Sequence, residues 1–107
     1  MYRQGVPRYL VDDAYGASVP TFATVGVASA TFLSQNLRRK GVLFVNTSAN
    51  MIYLTKGESP GVVGSGIPLY PNGGHYGEPD NRGRVWLGVW NAIASVAGSN
   101  LAITEDW

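Results

Sequence analysis

Short apolar runs alternate with turn-forming residues along most of the chain. Residues 21–33 are rich in Thr, Val, Phe and small side chains, which predicts a long strand that bends at Gly26. The runs 42–45 and 51–55 flank a cluster of Thr, Ser and Asn at 46–50, so we expect a hairpin there. The first of these runs contains no polar residue, which is typical of a strand buried on both faces.

Residues 56–76 predict an exposed loop followed by a second, shorter hairpin. Five of the eleven positions in 56–66 are Gly or Pro, too many for a regular element. Residues 67–70 can form only an edge strand, because Pro68 has no backbone N–H to donate. The Pro-Asn-Gly-Gly turn at 71–74 then leads into residues 75–76.

The last part of the chain predicts three more strands. In residues 85–90, alternation places Trp86 and Trp90 on one face and Val and Leu on the other, so we expect both faces to be covered. After a brief reversal, residues 93–97 are strand-like, a Gly-Ser-Asn turn follows, and residues 101–104 form the last strand.

These short strands, without an amphipathic window of helical length, predict an all-β fold. We expect an antiparallel β-sandwich or small barrel of about seven to eight short strands, formed by residues 21–107. Residues 1–20 show neither helical nor alternating periodicity. They carry Tyr2, Tyr9 and Tyr15, which favours an extended N-terminal arm that orders against a neighbour. A disordered terminus is the alternative interpretation of this segment.

Composition favours a protein that works inside an assembly. Charged residues make up 14% of the chain and hydrophobic residues 45%, whereas soluble domains carry about 25% charged residues. A weakly charged surface suits a packed homo-oligomer. The net charge of +1 gives no field that attracts nucleic acid, and the chain contains no cysteine for disulfides. We find no apolar window long enough for a membrane helix and no secretion signal, since Asp12 and Asp13 interrupt the start.

Catalytic and metal-binding chemistry is sparse. The only histidine, His75, lies beside a predicted turn, and without cysteine the usual zinc sites are excluded. Glu78, Asp80 and Asn81 could in principle hold calcium, but a solvated loop is the favoured interpretation. We therefore predict that the chain is not an enzyme and has no cofactor or metal.

Two further groups of residues suggest binding. The basic triplet at 38–40 can contact phosphates or carboxylates of a partner, although such triplets are most often solvated. Trp86, Trp90 and the tyrosines at 53, 70 and 76 can form a stacking platform for sugars or bases, with core packing as the favoured alternative.

Two segments carry a distinctive order of turns and strands: RRKGVLFVNTSANMIYLTKG and GVVGSGIPLYPNGGHYGE. Residues 40–41 precede a strand that ends at Asn46, a polar turn leads to the strand of Tyr53, and residues 64–74 form a GxGIxLxPNGG-like opening of a hairpin. Over about residues 38–104 this order resembles small β-sandwich structural proteins of tailed bacteriophages.

The resemblance implies a virion protein that decorates the capsid, completes the head-to-tail (neck) region or attaches fibres, assembled in the host cytoplasm. It implies capsid, portal, neck or fibre proteins as partners, and no catalytic residue. We expect the interface to include six residues: Tyr2, Tyr9, Tyr15, Arg38, Arg39 and Trp107. Apolar burial and backbone pairing at free strand edges would hold the neighbours. The alternatives are a carbohydrate-binding or host-recognition module and, less favoured, an accessory subunit or inhibitor of an enzyme.

Overall fold

A computed structural model describes residues 16–107, which contain eight strands and no helix. Residues 1–15 of the predicted arm therefore lie outside the described residues. In chain order the strands are β1 (Ser18–Val25), β2 (Ala30–Leu33), β3 (Gly41–Asn46), β4 (Ile52–Lys56), β5 (Ile67–Leu69), β6 (His75–Glu78), β7 (Trp90–Ala94) and β8 (Ser99–Asp106).

The strands form two antiparallel sheets that pack face to face. Sheet A has the order β1-β8-β3-β6 and sheet B has the order β2-β7-β4-β5, with four strands in each. This arrangement confirms the predicted all-β sandwich, whereas a closed barrel would leave no sheet edges.

The core is built from every second residue of the central strands. Val42 and Phe44 of β3 alternate with residues that face away from sheet B, as expected for a strand. Phe44 meets the Trp90 ring edge-on, with centroids 4.9 Å apart and an interplanar angle of 69°, and both side chains are fully buried. Such a pair contributes about 0.5–1.5 kcal/mol beyond its area burial. The rest of the buried apolar cluster is Val25, Ile52, Leu54, Leu69, Ala92, Ala94, Leu101 and Ile103.

Neither predicted hairpin exists. Although β3 and β4 are joined by the expected polar turn, β3 belongs to sheet A and β4 to sheet B. In the same way, β5 and β6 lie on either side of the turn at 71–74 but in different sheets. The turn residues specify that the chain reverses; they do not specify that the flanking strands become partners. β3 pairs instead with β6 and β8, and β4 pairs with β5 and β7.

The predicted first strand is two strands, and it begins earlier than expected. Residues 26–29 interrupt the run, so that β1 lies at an edge of sheet A and β2 at an edge of sheet B. β1 starts at Ser18, inside the segment predicted as an arm, because Ser18, Val19 and Pro20 extend the pairing with β8. The predicted boundary at residue 20 therefore falls within a strand.

The prediction of a strand at 85–90 is wrong. Residues 85–89 form a loop, and only Trp90 begins a strand, which continues through the expected reversal at 91–92. Trp86 is 38% exposed while Trp90 is buried, so the two indoles do not share a covered face. The backbone N–H of Trp86 donates to Glu78 Oε1 at 2.7 Å, which takes it out of any strand ladder.

The final turn is also displaced. Residues 95–98 form the reversal that sequence placed at 98–100, and β8 runs from Ser99 to Asp106. Ser99 Oγ, fully buried, donates to the carbonyl oxygen of Val96 at 2.7 Å and so closes this turn. β8 is therefore longer than the predicted strand 101–104, and it pairs with both β1 and β3.

Candidate interaction surface

The face of sheet A that points away from sheet B is not covered by any segment between residues 16 and 107. Cross-strand register aligns its side chains in rows, because residues that pair across a sheet lie on the same face. One row joins Phe22, Ala102, Val45 and His75. We call this surface the outer face of sheet A; its rows comprise Ser18, Pro20, Phe22, Thr24, Gly41, Leu43, Val45, His75, Gly77, Asn100, Ala102, Thr104 and Asp106.

Large apolar side chains on the outer face are in contact with solvent. Phe22 is 68% exposed and Leu43 is 42% exposed. Leu43 lies in the run 42–45 that sequence predicted to be buried on both faces, and that part of the prediction is wrong. Full burial of one side chain of this kind is worth about 1.5–3 kcal/mol. The outer face therefore offers a driving force for association.

The outer face is almost without charge. Among its residues, which all belong to the described part of the chain, Asp106 is the only Asp, Glu, Lys or Arg, and it stands at one end. The opposite end holds the exposed imidazole of His75, whose Nδ1 lies 3.4 Å from the carbonyl oxygen of Gly73. Depletion of charge at the centre of a surface patch is characteristic of protein interfaces.

Sheet B differs, because the loop 57–66 folds across its corresponding face. Gly61 N donates to Ser29 Oγ at 2.7 Å, and Asn91 Nδ2 donates to the carbonyl oxygen of Ser59 at 3.3 Å. Under this loop Ile93, although it points away from the sandwich core, is only 8% exposed. The loop was predicted to be exposed. Residues 58–60 and 62–66 are exposed, but Gly61 between them is buried against sheet B.

The free edges of both sheets are protected against strand addition. Ala17 and Trp107 exchange two backbone hydrogen bonds, so Pro20, three residues on and opposite Thr104, occupies a non-hydrogen-bonded pair. Its nitrogen therefore faces the free edge of β1, where it has no N–H to offer. Proline at an edge is a known device against intermolecular pairing.

The other three sheet edges also have features that disfavour the addition of a strand. In β5, which has three residues, Pro68 removes a donor. The register of β2 shifts between Thr31 and Leu33, which marks a bulge or irregularity. β6 has four residues and is followed directly by Pro79. The edges thus disfavour the backbone pairing expected from sequence, and side-chain burial on the outer face is the stronger basis for association.

Three of the predicted interface residues come together at one end of the sandwich. Arg38, Arg39 and Trp107 line a recess of about 450 Å³ together with Leu37, which is 71% exposed. Gly16, the first described residue, lines the same recess. The other three predicted residues, Tyr2, Tyr9 and Tyr15, lie outside the described residues, so the structure does not place them.

The end of the chain is held against the start of β1. The carbonyl oxygen of Trp107 accepts hydrogen bonds from Gly16 N and Ala17 N, each at 2.6 Å, and Trp107 N donates to the carbonyl oxygen of Ala17 at 3.0 Å. Trp107 is half-buried here. The residues that precede Gly16 are therefore attached at a corner of sheet A.

Arg39 is a buried structural residue within its own chain. Its guanidinium donates to Glu105 Oε2 at 2.7 Å and to three backbone carbonyls, those of Ser34, Trp86 and Gly88. The side chain has no exposed surface. With these contacts Arg39 fixes the loop that contains Trp86 to the end of β8. The other two residues of the basic triplet, Arg38 and Lys40, are exposed and available to a partner.

A cavity of about 570 Å³ opens beside Asp106 at the charged end of the outer face, and Gly41 and Pro79 also line it. The Asp106 Oδ1 atom is buried and has no hydrogen-bond partner among residues 16–107. A buried acceptor without a partner costs about 1–3 kcal/mol. Because that oxygen has no solvent-accessible surface, it is not available to a group in the cavity, which Arg39 and Lys40 also line.

Glu78 is held by a network of hydrogen bonds within the chain. Its Oε2 accepts hydrogen bonds from Lys56 Nζ and Tyr76 Oη, both at 2.8 Å, and its Oε1 accepts one from Trp86 N. Burial would raise the pKa of Glu78, but the three hydrogen bonds outweigh it and hold that pKa below its usual value. The hydrogen bond from Lys56 to Glu78 in turn raises the pKa of Lys56.

The carboxylate of Asp80, like that of Glu78, is held by hydrogen bonds within the chain. Its carboxylate accepts hydrogen bonds from Arg84 Nε at 2.7 Å and from the backbone N–H groups of Arg82 and Arg84. The backbone N–H of Arg84 is the main cause that lowers the pKa of Asp80. No cluster of three or more possible metal-binding His, Cys, Asp or Glu side chains occurs within residues 16–107.

The aromatic residues do not form one platform. Trp90 is buried, and Tyr76 packs against it with centroids 6.0 Å apart. Tyr70, 66% exposed, directly precedes the turn at 71–74, whereas Trp86 belongs to the loop 85–89 and donates from Nε1 to the carbonyl oxygen of Val89. Core packing thus accounts for Trp90 and Tyr76, and two exposed rings remain on separate loops.

Comparison with known proteins adds no assignment. No protein-family model, curated protein or solved structure matches the chain. Within the described range, no helix is long and apolar enough to cross a membrane.

Proposed function

We propose that this chain is a non-catalytic structural protein of a tailed-phage virion, in which it decorates the capsid, completes the neck or attaches fibres. Its partners would be other virion proteins and further copies of itself, assembled in the host cytoplasm. The observation that supports the proposal best is the outer face of sheet A, which exposes Phe22 and Leu43, carries little charge and is not covered by residues 16–107. A rigid sandwich with one such face is suited to stoichiometric packing between subunits.

The protected strand edges agree with this role. A subunit that is synthesised free and assembled later must avoid uncontrolled edge-to-edge aggregation. Pro20 and Pro68 supply that protection while leaving the outer face accessible. Recognition would then depend on side chains, which distinguish partners better than exposed backbone does.

The decisive experiment is the identification of the chain in purified particles of the phage that encodes it, by mass spectrometry and electron microscopy. We expect a symmetric, stoichiometric component, and the map would select between capsid, neck and fibre positions. Absence from purified particles would reject the virion role.

Incorporation of variants tests the surface itself. Replacement of Phe22 and Leu43 by Ser should leave the domain folded, because both side chains are exposed, and should reduce incorporation. The matched control is Tyr70→Ser, which removes an equally exposed aromatic ring outside the outer face. Equal incorporation of the double variant and the control would contradict the proposed surface.

One observation favours the second candidate, a carbohydrate-binding or host-recognition module. Trp86 is partly exposed on a loop, and Gly88 leaves space for its ring, since a Cβ at position 88 would come within 2.7 Å of it. A ring held in this way can stack on a sugar. A glycan array would show binding that is lost in Trp86→Ala if this function holds.

A further inference from the structure

We propose that a cleft lined by Trp86, Lys56 and Arg84 binds a negatively charged sugar residue of a glycan. The sugar ring stacks on the exposed part of the indole, and its acidic group is bound by the two cations. This inference rests on the second candidate function, carbohydrate binding, and names the class of ligand for it. It is independent of the proposed virion role.

The cleft has a volume of about 240 Å³ and lies where the loop 85–89 meets the ends of β4 and β6, at Lys56 and Glu78. Sites that enclose a whole drug-sized ligand measure about 300–1,000 Å³. The cleft is therefore suited to one sugar unit and leaves the rest of a glycan chain outside.

The indole of Trp86 is fixed from one side. Its Nε1 donates to the carbonyl oxygen of Val89 at 2.9 Å, and a Cβ at position 88 would lie within 3.0 Å of three neighbouring ring atoms. The backbone of Gly88 thus rests against the ring, yet Trp86 remains 38% exposed. The accessible part of a ring held in this way attracts the electropositive C–H groups of a sugar.

The two ion pairs beside Trp86 turn their cations toward water. The side chains of Lys56 and Arg84 are 41% and 70% exposed, whereas those of their partners Glu78 and Asp80 are 2% and 29% exposed. A ligand that enters the cleft therefore meets positive charge, although the four formal charges cancel. For this reason the cleft favours an anionic ligand over a cationic one.

The same ion pairs leave hydrogen-bond donors unused. An ammonium group has three N–H donors and a guanidinium group has five. The ion pairs of Lys56 and Arg84 occupy one donor of each, and among residues 16–107 the Nη1 and Nη2 atoms of Arg84 have no partner. The planar end of a guanidinium matches the two oxygens of a carboxylate or a phosphate. An acidic group on the sugar is therefore the complementary chemistry.

The two carboxylates position the groups that bind. Asp80 accepts hydrogen bonds from N and Nε of Arg84, and Asp80 N donates to the carbonyl oxygen of Arg84 at 3.0 Å. Glu78 holds Trp86 and Lys56 in the same way, through Trp86 N and Lys56 Nζ. A site that is formed before the ligand arrives loses less entropy on binding.

An acidic glycan fits this site better than a nucleic acid does. A nucleic acid also offers rings and phosphates, but its affinity depends on several phosphate contacts along a basic surface. The chain has a net charge of +1, and within residues 16–107 only two cations, Lys56 and Arg84, line the cleft.

The first test is a glycan array that carries carboxylated, sulfated and phosphorylated glycans beside their uncharged counterparts. We expect the parent chain to bind acidic members and not their uncharged counterparts, and the members that it binds identify the acidic group. Single-stranded oligonucleotides on the same array test the other class of ligand. Binding to oligonucleotides alone would overturn the proposal, as would the absence of any bound glycan.

Calorimetric titration with the glycan that binds best tests the residues. Trp86→Ala should weaken binding at least about tenfold, and Trp86→Phe, which keeps a ring, should weaken it less. Arg84→Gln should weaken binding about tenfold, because a charge-assisted hydrogen bond is lost. Tyr70→Ala and Arg82→Gln are the matched controls, since they remove an exposed ring and a neighbouring charge that do not line the cleft. Both should bind as the parent does.

The pattern of losses separates carbohydrate binding from the choice of an acidic sugar. If uncharged glycans bind equally well, and only Trp86→Ala weakens binding, carbohydrate binding holds and the anionic ligand is refuted. If neither Trp86→Ala nor Arg84→Gln weakens binding, while circular dichroism shows folded protein, the cleft is not the site. The parent's affinity should also decrease as salt is added, since salt screens exposed charges.

Discussion

Lys56 Nζ lies 2.8 Å from Glu78 Oε2 and so joins the two sheets, since Lys56 ends β4 in sheet B and Glu78 ends β6 in sheet A. The carboxylate side chain is 2% exposed and the lysine 41%, so the partners differ in their access to water. The ammonium group also stands 5.6 Å from the centroid of the Trp90 ring. This contact closes one end of the core.

Glu78→Gln should destabilise the domain by about 1–3 kcal/mol, because the variant loses the charge that attracts Lys56 while the side chain stays buried. Lys56→Met should cost less than this, since the hydrogen bonds from Tyr76 and Trp86 to Glu78 remain. Urea unfolding at neutral pH measures both. Equal stability of Glu78→Gln and the parent would contradict the network's contribution.

The same network predicts acid sensitivity. Because the folded-state pKa of Glu78 lies below its ordinary value, the carboxylate stabilises the fold above the unfolded-state pKa. That contribution is lost as the pH falls through the folded-state pKa. We expect the parent's thermal midpoint to decrease below about pH 4.5, and the midpoint of Glu78→Gln to decrease less steeply. Parallel pH profiles would show that other carboxylates are responsible.

Arg39 contributes more to the stability of the fold than its position in a basic triplet suggests. Arg39→Met should cost about 3–5 kcal/mol, because it removes the cationic partner of the half-buried Glu105 and the donor of three carbonyls. Arg38→Ala, next to it but exposed, is the matched control and should change stability by less than about 0.5 kcal/mol. Chemical unfolding of the two variants tests this difference.

The positions of several strands could be predicted from sequence because the chain carries their signals locally. The apolar runs that became β3 and β4 are bounded by Gly, Asn and Ser, and Pro68 correctly predicted an edge strand. Strand partners could not be predicted in this way. The pairing of β3 with β8 joins residues about sixty apart, and it depends on burial of Phe44 against sheet B, not on the turn between β3 and β4.

The candidate surface was missed, although the sequence contained a signal for it. A strand of a two-layer sandwich needs only one apolar face, yet Leu43 and Val45 make the second face of β3 apolar as well. This excess indicated an additional contact surface. The role of Arg39 had no local signal, because its partners come from residues 34, 86, 88 and 105.

Gly66 should tolerate no side chain, because its Cβ would overlap the carbonyl oxygen of Leu54 in the neighbouring strand. Gly64 provides a matched control, since it has φ of 90° against 87° for Gly66 but no atom within 4 Å of its Cβ position. Both Ala variants carry backbone strain of about 1–2 kcal/mol. Gly66→Ala should lose about 2 kcal/mol more, from overpacking against β4. Equal thermal midpoints would contradict this account.

Asn46, fully buried at the end of β3, has all its side-chain hydrogen bonds satisfied. Nδ2 donates to the carbonyl oxygens of Asn50 and Leu69 at 2.7 and 2.9 Å, and Oδ1 accepts from the backbone and the hydroxyl of Ser48. The side chain thereby holds the turn at 46–50 and links it to sheet B through Leu69. Asn46→Asp would point a carboxylate oxygen at two carbonyl oxygens and should cost about 3 kcal/mol at neutral pH.

The loss in Asn46→Asp should depend on pH. Burial raises the folded-state pKa of the introduced carboxyl group above its unfolded-state value, so its penalty is present at neutral pH and decreases as the pH falls and the group is protonated. Asn81→Asp, in an exposed loop, is the control and should show no such recovery. Urea unfolding of the two variants relative to the parent, between about pH 4 and pH 7, decides the point. A penalty that stays constant over this range would mean that the turn rearranges and admits water to the carboxylate.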